Sequence, residues 1–216
     1  ENSGFEKCNE FISMSFRAKN FLIPEKVRRV TEIVKKRGTL KVFTYQSRRE
    51  FLLRTKMIAE LYAKSFENNW EYFPLSMKEM QFLVDNVIQL VNPKMVKLIQ
   101  DETGEIVGFL VTFPDLSAAM QRHNGYLTPL LIIDLLLEAR RTRKLTLNGF
   151  GILEKYHGRG GNALLYSAIS DLLEEFPQFE YAEATQMAET AKEVQLEMKA
   201  LGLSPKKHHR VYRKVL

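Results

Sequence analysis

An α/β fold is what this sequence predicts, and three observations predict it. An apolar alternating run from Leu145 to Leu153 leads straight into a glycine-rich turn and then into an amphipathic helix. Two apolar runs, Met95–Gln100 and Ile106–Phe113, flank Asp101-Glu102-Thr103-Gly104-Glu105, which is the pattern of a hairpin. Elsewhere strand-like and helix-like periods alternate along the chain rather than segregating.

The elements follow in order. Phe11 to Arg17 alternates as a strand. Pro24 stands where a first-turn proline belongs and opens a helix through Lys36, stopped by Gly38. Leu40–Tyr45 reads as a second strand. Ser47 caps a long helix with Phe51, Ile58, Leu61, Tyr62 and Phe66 on one face. Ser76-x-x-Glu79 is a capping box opening a helix with Met80, Leu83, Val84, Val87, Ile88 and Val91 at helical spacing, ended by Asn92-Pro93. The hairpin comes next, then a predominantly helical stretch from Asp115 to Lys144. The helix after the glycine turn buries Leu165, Ile169, Leu172 and Phe176. Gln178–Ala184 reads as a strand. A helix follows with Ala191, Val194, Met198 and Leu201 inward and Gly202 as its stop, and Arg210–Val215 makes the last strand.

A chain of 216 residues with 45% hydrophobic and 27% charged content is sufficient for a full globular domain and one extra element. A net charge of +6 suggests an anionic partner without choosing among coenzymes, nucleic acid and acidic membrane surfaces. The single cysteine, Cys8, excludes an intrachain disulfide and points to a reducing compartment. No apolar run approaches the ~20 residues a membrane helix needs, and no signal peptide is visible. A cytoplasmic setting is therefore expected. Because the chain begins at Glu1 rather than Met, a piece of a longer protein is expected too. His208-His209 and His123 have no ligand spacing with Cys or acidic residues, so no metal site is expected. The basic residues lack the interleaved aromatics of nucleic-acid modules, and no such partner is expected.

Strand, glycine loop and helix N-terminus together make an anion site. Free N–H groups project from the first helical turn, and the helix dipole adds positive charge there. Gly158, Gly160 and Gly161 admit close approach of a phosphate, with Lys155 and Arg159 nearby, so a diphosphate is the natural ligand. A P-loop is excluded because no Lys-Ser or Lys-Thr follows the glycines. A dinucleotide fingerprint is excluded because Ala163 stands at its third glycine and no repeated βαβ units surround it.

The loop resembles the acyl-CoA pyrophosphate loop of the GNAT superfamily of N-acyltransferases, R/Q-x-x-G-x-G/A. His157-Gly158-Arg159-Gly160-Gly161-Asn162 occupies that pattern, with His157 in place of the usual Arg or Gln and Asn162 in place of a small residue. From Leu40 onward the order of elements also resembles the GNAT fold. The resemblance implies a mixed, mostly antiparallel central sheet flanked by helices, with a helical insert between the third and fourth strands of the unit. It also implies that strands 145–153 and 178–184 splay apart to admit the pantetheine arm. Main-chain groups near Ile152 and Leu153 would meet the thioester region, and those of His157, Gly158, Arg159, Gly160, Gly161, Asn162 and Ala163 would hold the pyrophosphate. The co-substrate would be acetyl-CoA or a longer acyl-CoA and the acceptor a primary amine.

The same resemblance nominates Glu183 as catalytic base, since the strand at 145–153 carries no carboxylate. The family's acid tyrosine aligns with Met198 and its helix asparagine with Ala191. A catalytically silent domain that binds CoA or lipid is therefore the alternative. Asn68-Asn69-Trp70-x-x-x-Pro74-Leu75-Ser76, Val107-Gly108-Phe109 and Pro114-Asp115 resemble the bacterial ceramide synthase-like branch. In the insert, Leu127–Leu137 precedes Arg140, Arg141, Arg143 and Lys144. It reads as the wall of a long acyl pocket, a peripheral contact with an anionic membrane, or cover for the sheet. Finally, Gly4-Phe5-Glu6-Lys7 before the first strand resembles the close of another GNAT-like unit. Two readings stay open: residues 1–38 are the tail of a preceding tandem unit, with 39–216 the acyltransferase-like domain, or the first strand simply extends the visible sheet.

Overall fold

A computed structural model describes residues 4–43, 45, 47–66, 76–82 and 91–214. The strands are β1 (Glu6–Arg17), β2 (Leu40–Phe43), β3 (Val96–Asp101), β4 (Ile106–Pro114), β5 (Lys144–Ile152), β6 (Tyr181–Ala188) and β7 (Ser204–Arg213). The helices are α1 (Glu25–Arg37), α2 (Arg48–Phe66), α3 (Met77–Phe82), α4 (Ser117–Arg122), α5 (Pro129–Arg141), α6 (Gly161–Glu175) and α7 (Lys192–Ala200). The hydrogen-bonded strand order is β2-β3-β4-β5-β6-β1-β7. β5 and β6 are parallel, while β2–β3, β3–β4, β6–β1 and β1–β7 are antiparallel, so the sheet is mixed and the fold is α/β.

The chain divides into two compact units, each assembled from separate segments. One holds residues 25–113 and 149–176, the other 1–24, 114–148 and 177–216. In the first, Phe51, Leu61, Val96, Leu98, Ile106 and Phe109 make a core. Local chemistry sets its elements. Ser47 Oγ accepts the Glu50 N–H at 3.1 Å, and Ser76 with Glu79 forms the expected reciprocal box, each bonding the other's N–H (3.3 and 2.8 Å). Asp101 Oδ1 gathers the N–H groups of Thr103 and Glu105 at 3.0 and 2.9 Å, and Gly104 at φ +92 completes the β3–β4 turn. Asn68-Asn69-Trp70, Pro74-Leu75 and Leu83, Val84, Val87 and Ile88 lie outside the described residues, as does Val215.

In the second unit β1 is an interior strand, paired with β6 on one edge and β7 on the other. Four strand limits in this unit differ from expectation. β1 starts at Glu6, not Phe11, and β7 at Ser204, not Arg210, because the two pair along nearly their whole length, from Glu6↔Arg213 to Ser15↔Ser204. β6 starts at Tyr181 rather than Gln178, where the N–H groups of Glu180 and Tyr181 both donate to the Arg143 carbonyl. It then runs on to Ala188 because Phe11 of β1 pairs there. Glu183 therefore lies inside the strand and not at its end. The insert is two helices, α4 and α5, the latter capped by Thr128, whose side chain accepts the Leu131 N–H at 3.1 Å.

The β5–β6 ladder has four pairs and ends at Leu147↔Ala184, although β5 continues to Ile152 and β6 to Ala188. β5 is also irregular. Asp115 N–H bonds the Lys144 carbonyl, and Leu153 N–H bonds the Val107 carbonyl. Between those bonds one chain advances eight residues and the other nine, so β5 carries one extra residue, a bulge. Burial agrees: it alternates through Leu145 and Leu147, then slips to Ile152.

Candidate functional site

The glycine loop lies wholly within one unit. A 3₁₀ turn, Glu154–Tyr156, leads from β5 into it, and α6 opens with Gly160 as N-cap at φ +86, with no side-chain cap. The first intrahelical bond is Leu164 N–H to Gly160 O at 3.3 Å. Among the described residues, the N–H groups of Gly158, Gly160, Gly161, Asn162 and Ala163 have no hydrogen-bond partner. These are the orphan donors of a helix start plus the turn before it, and they are what an anion needs.

The three glycines do different things. At Gly160 a Cβ would meet Val34 Cγ2 at 2.5 Å and Val30 Cγ1 at 3.0 Å, so its bareness serves the packing of α1. At Gly161 a Cβ would meet Ile152 Cδ1 at 2.9 Å. Only Gly158, at φ +73, has nothing within 4 Å of its Cβ position. Close approach to a phosphate is thus open at Gly158. At Gly160 and Gly161 the missing Cβ serves packing within the protein, beside whatever it does for a ligand.

The loop's charges also sort themselves. Lys155 is not free: its Nζ lies 3.1 Å from both oxygens of Glu105, which raises its pKa. Tyr156 donates to Asp101 Oδ2 at 2.5 Å, and with Thr103 it lowers the Asp101 carboxyl to about 2. His157 Nε2 donates to the Ile152 carbonyl at 2.9 Å, fastening the loop to the end of β5. Arg159 stacks its guanidinium over the Tyr156 ring at 5.2 Å and, among the described residues, has no carboxylate partner. It is the cation left to meet an anion. The Leu153 N–H, expected to meet the thioester region, is committed to Val107 O at 2.9 Å. That correction leaves Ile152 and the bulged residues before it.

No family model matches the sequence, and no curated protein does. Solved structures do match. A GCN5-related N-acetyltransferase from Sphaerobacter thermophilus superposes with TM-score 0.60 at 14% identity, over 99% of this chain and 53% of that one. The glucosamine N-acetyltransferase region of a fungal multi-domain β-N-acetylglucosaminidase superposes with TM-score 0.55 at 11% identity, over 98% of this chain and 21% of that one. The chain has the GNAT fold. It spans about half the length of the Sphaerobacter thermophilus protein and about a fifth of the fungal one.

Other GNAT expectations fall in the second unit. Glu183 is partly exposed, and its oxygens lie 2.7 and 3.0 Å from Lys207 Nζ. Met198, which the resemblance aligns with the GNAT tyrosine, is 1% exposed, and Ala191 is the N-cap of α7. Of the insert's apolar run only Leu131 is fully buried. Leu127 (78%), Leu130 (68%) and Ile133 (56%) face solvent, so cover for the sheet is not what that face provides. Asp134 and Glu138 are held by Arg122 at 2.9 and 2.5 Å, while Arg140 and Arg141 are exposed. Among the described residues no helix is long and apolar enough to cross a membrane.

One cluster was missed in the sequence. Ser13 Oγ, His209 Nε2 and the Gln186 N–H meet across β1, β7 and β6. In the sequence His209 reads only as a possible metal ligand. No spacing in the sequence joins residues so far apart.

Proposed function

We propose that this chain is an acyltransferase: it binds an acyl-CoA, acetyl or longer, at residues 157–163 and passes the acyl group to a primary amine. The observation that carries the reading is the set of N–H groups of Gly158, Gly160, Gly161, Asn162 and Ala163, unpartnered among the described residues, beside the open flank of Gly158 and Arg159, which has no carboxylate partner among them. Five donors at a dipole's positive end match a pyrophosphate, which offers several acceptor oxygens and no donors. Ile152 and the bulged stretch of β5 before it are the proposed main-chain partners of the thioester, and one of their N–H groups the oxyanion donor. Glu183 is the base that the resemblance nominates, and its carboxylate is already engaged by the Lys207 ammonium. The exposed apolar face of α5, ending in Arg140 and Arg141, fits peripheral contact with an anionic lipid surface, where a long-chain acyl group or amine resides.

A thermal-shift titration with CoA, acetyl-CoA and palmitoyl-CoA tests the binding. A ligand at 100 times its Kd stabilises the fold by ~2.7 kcal/mol, and no shift with any of the three removes CoA from the account. Met198 supports the second reading, a silent CoA-binding domain, because a buried thioether has no proton to give. Release of free CoA thiol from acetyl-CoA in the presence of amines separates the two.

A further inference from the structure

The helix α5 is amphipathic the wrong way round for a surface that meets only water. Residues four apart stand one above another on a helix, so Ile132, Leu136 and Arg140 form one row and Ile133, Leu137 and Arg141 the next. All six are exposed. Each row is two large apolar side chains followed, one turn on, by an arginine. Leu130 adds to them at the start of the helix, and Tyr126 and Leu127 are exposed in the turn just before it. An apolar patch of this kind is a contact surface and not ordinary exterior.

The two acids of the helix are kept off that surface. Asp134 and Glu138 form the next row, with side chains 20% and 14% exposed, and Arg122 of α4 lies against them. Its guanidinium donates to both oxygens of Asp134, at 2.9 and 3.0 Å, and to Glu138 at 2.5 Å. These bonds lower the Asp134 pKa, so the group stays ionised while it is held. Arg140 and Arg141 have no carboxylate partner among the described residues. The insert therefore sorts its charges: acids against α4, free cations at the end of the apolar rows. All of these residues belong to the same compact unit.

An anionic bilayer is complementary to each part of this arrangement. Apolar rows enter the acyl boundary, while arginine stems reach back to the headgroup phosphates. A carboxylate in the same rows would be repelled there, and none is present. The helix has 13 residues and is about 20 Å long, short of the ~30 Å hydrocarbon core, so it can lie along a bilayer but not cross one. We propose that α5 docks flat on an anionic lipid surface through Ile132, Ile133, Leu136 and Leu137, with Arg140 and Arg141 on the phosphates. Arg122 is the positioning residue, holding Asp134 and Glu138 away from the lipid. This rests on the lipid contact in the reading above and gives it a device, but it needs neither CoA nor turnover.

The test is co-sedimentation of the full chain with phosphatidylcholine vesicles, with and without about one part in four of phosphatidylglycerol. Binding to the anionic vesicles is expected, and it should weaken as salt is raised. Arg140→Gln with Arg141→Gln should weaken it roughly 30-fold, about a factor of five for each cation near such a surface. Ile133→Asp should weaken it at least about tenfold, and neither change should move Tm. Arg122→Gln should cost about tenfold in affinity, and adding Asp134→Asn and Glu138→Gln should restore it, a rescue that lost packing would not give. Equal binding to both vesicles, or binding unchanged by Ile133→Asp, overturns the docking. Absence of rescue overturns the role of Arg122. A chain that ignores vesicles and is a dimer until Ile133→Asp is introduced assigns the face to a second copy, and lipid docking falls. If Ile133→Asp does not fold, unchanged affinity in the arginine pair overturns the docking equally. A chain that binds vesicles but shows no thermal shift with CoA, acetyl-CoA or palmitoyl-CoA loses the acyl-CoA reading and keeps this one; binding CoA but no vesicles does the reverse.

Discussion

The glycine loop and the β6–β1–β7 ribbon are opposite ways of building a site. The loop is contiguous: residues 152–163 supply the donors, the turn and the fastening of His157 to Ile152. The ribbon is dispersed: Ser13, Gln186 and His209 come from three strands and are joined only by register. Binding an anion takes main-chain groups, which a short glycine-rich stretch can aim by itself. Holding a buried hydroxyl, a strained backbone N–H and an imidazole together takes neighbours from elsewhere in the chain.

Perturbations can break this comparison, and the largest should come at Gly160. Gly160→Val places a Cβ where Val34 Cγ2 sits 2.5 Å away and forces a β-branched residue to φ +86. A loss of about 3–5 kcal/mol and a Tm fall of roughly 10 °C are expected, visible in a melting curve without any ligand. A normal Tm would show that α1 yields at that contact. Gly158→Ala is smaller, at about 1 kcal/mol of backbone strain, but CoA affinity should fall about tenfold by calorimetry because the methyl enters the open flank. Unchanged affinity would move the phosphate elsewhere. Tyr156→Phe should be milder still and dependent on pH. The Asp101 pKa is depressed, so its contribution is full above the ordinary carboxylate range and lost as pH falls toward about 2. The Tm difference between Tyr156→Phe and wild type should therefore shrink between pH 6 and pH 2.5. Gln186→Gly should have the least effect, raising Tm by a degree or two through relief of the left-handed strain.

What the sequence showed depended on how local each feature was. The caps at Ser47 and Ser76, the β3–β4 turn and the loop's place between β5 and α6 were legible because neighbours along the chain determine them. Strand limits were less so. Tyr181–Ala188 could not be bounded without knowing that β1 lies beside it, since a strand ends where its partner does. The loop's charges misled for a related reason: Lys155 looked free until Glu105, fifty residues away, was placed against it. Gly160 and Gly158 look equivalent as letters, and only α1 separates their purposes. His209 had no visible role because Ser13 is 196 positions distant.

The place of β1 also bears on how the chain comes to be folded. Vectorial synthesis brings β1 out well before both strands it must lie between, β6 and β7. Until then it is a sticky ribbon with two open edges, the condition under which nascent chains seek wrong companions. Its charged Glu6, Lys7, Glu10 and Arg17 then act as guards during the wait. Closure of that half of the sheet waits for β7, and it is slow, because the contacts that reward it join residues as far apart as Glu6 and Arg213.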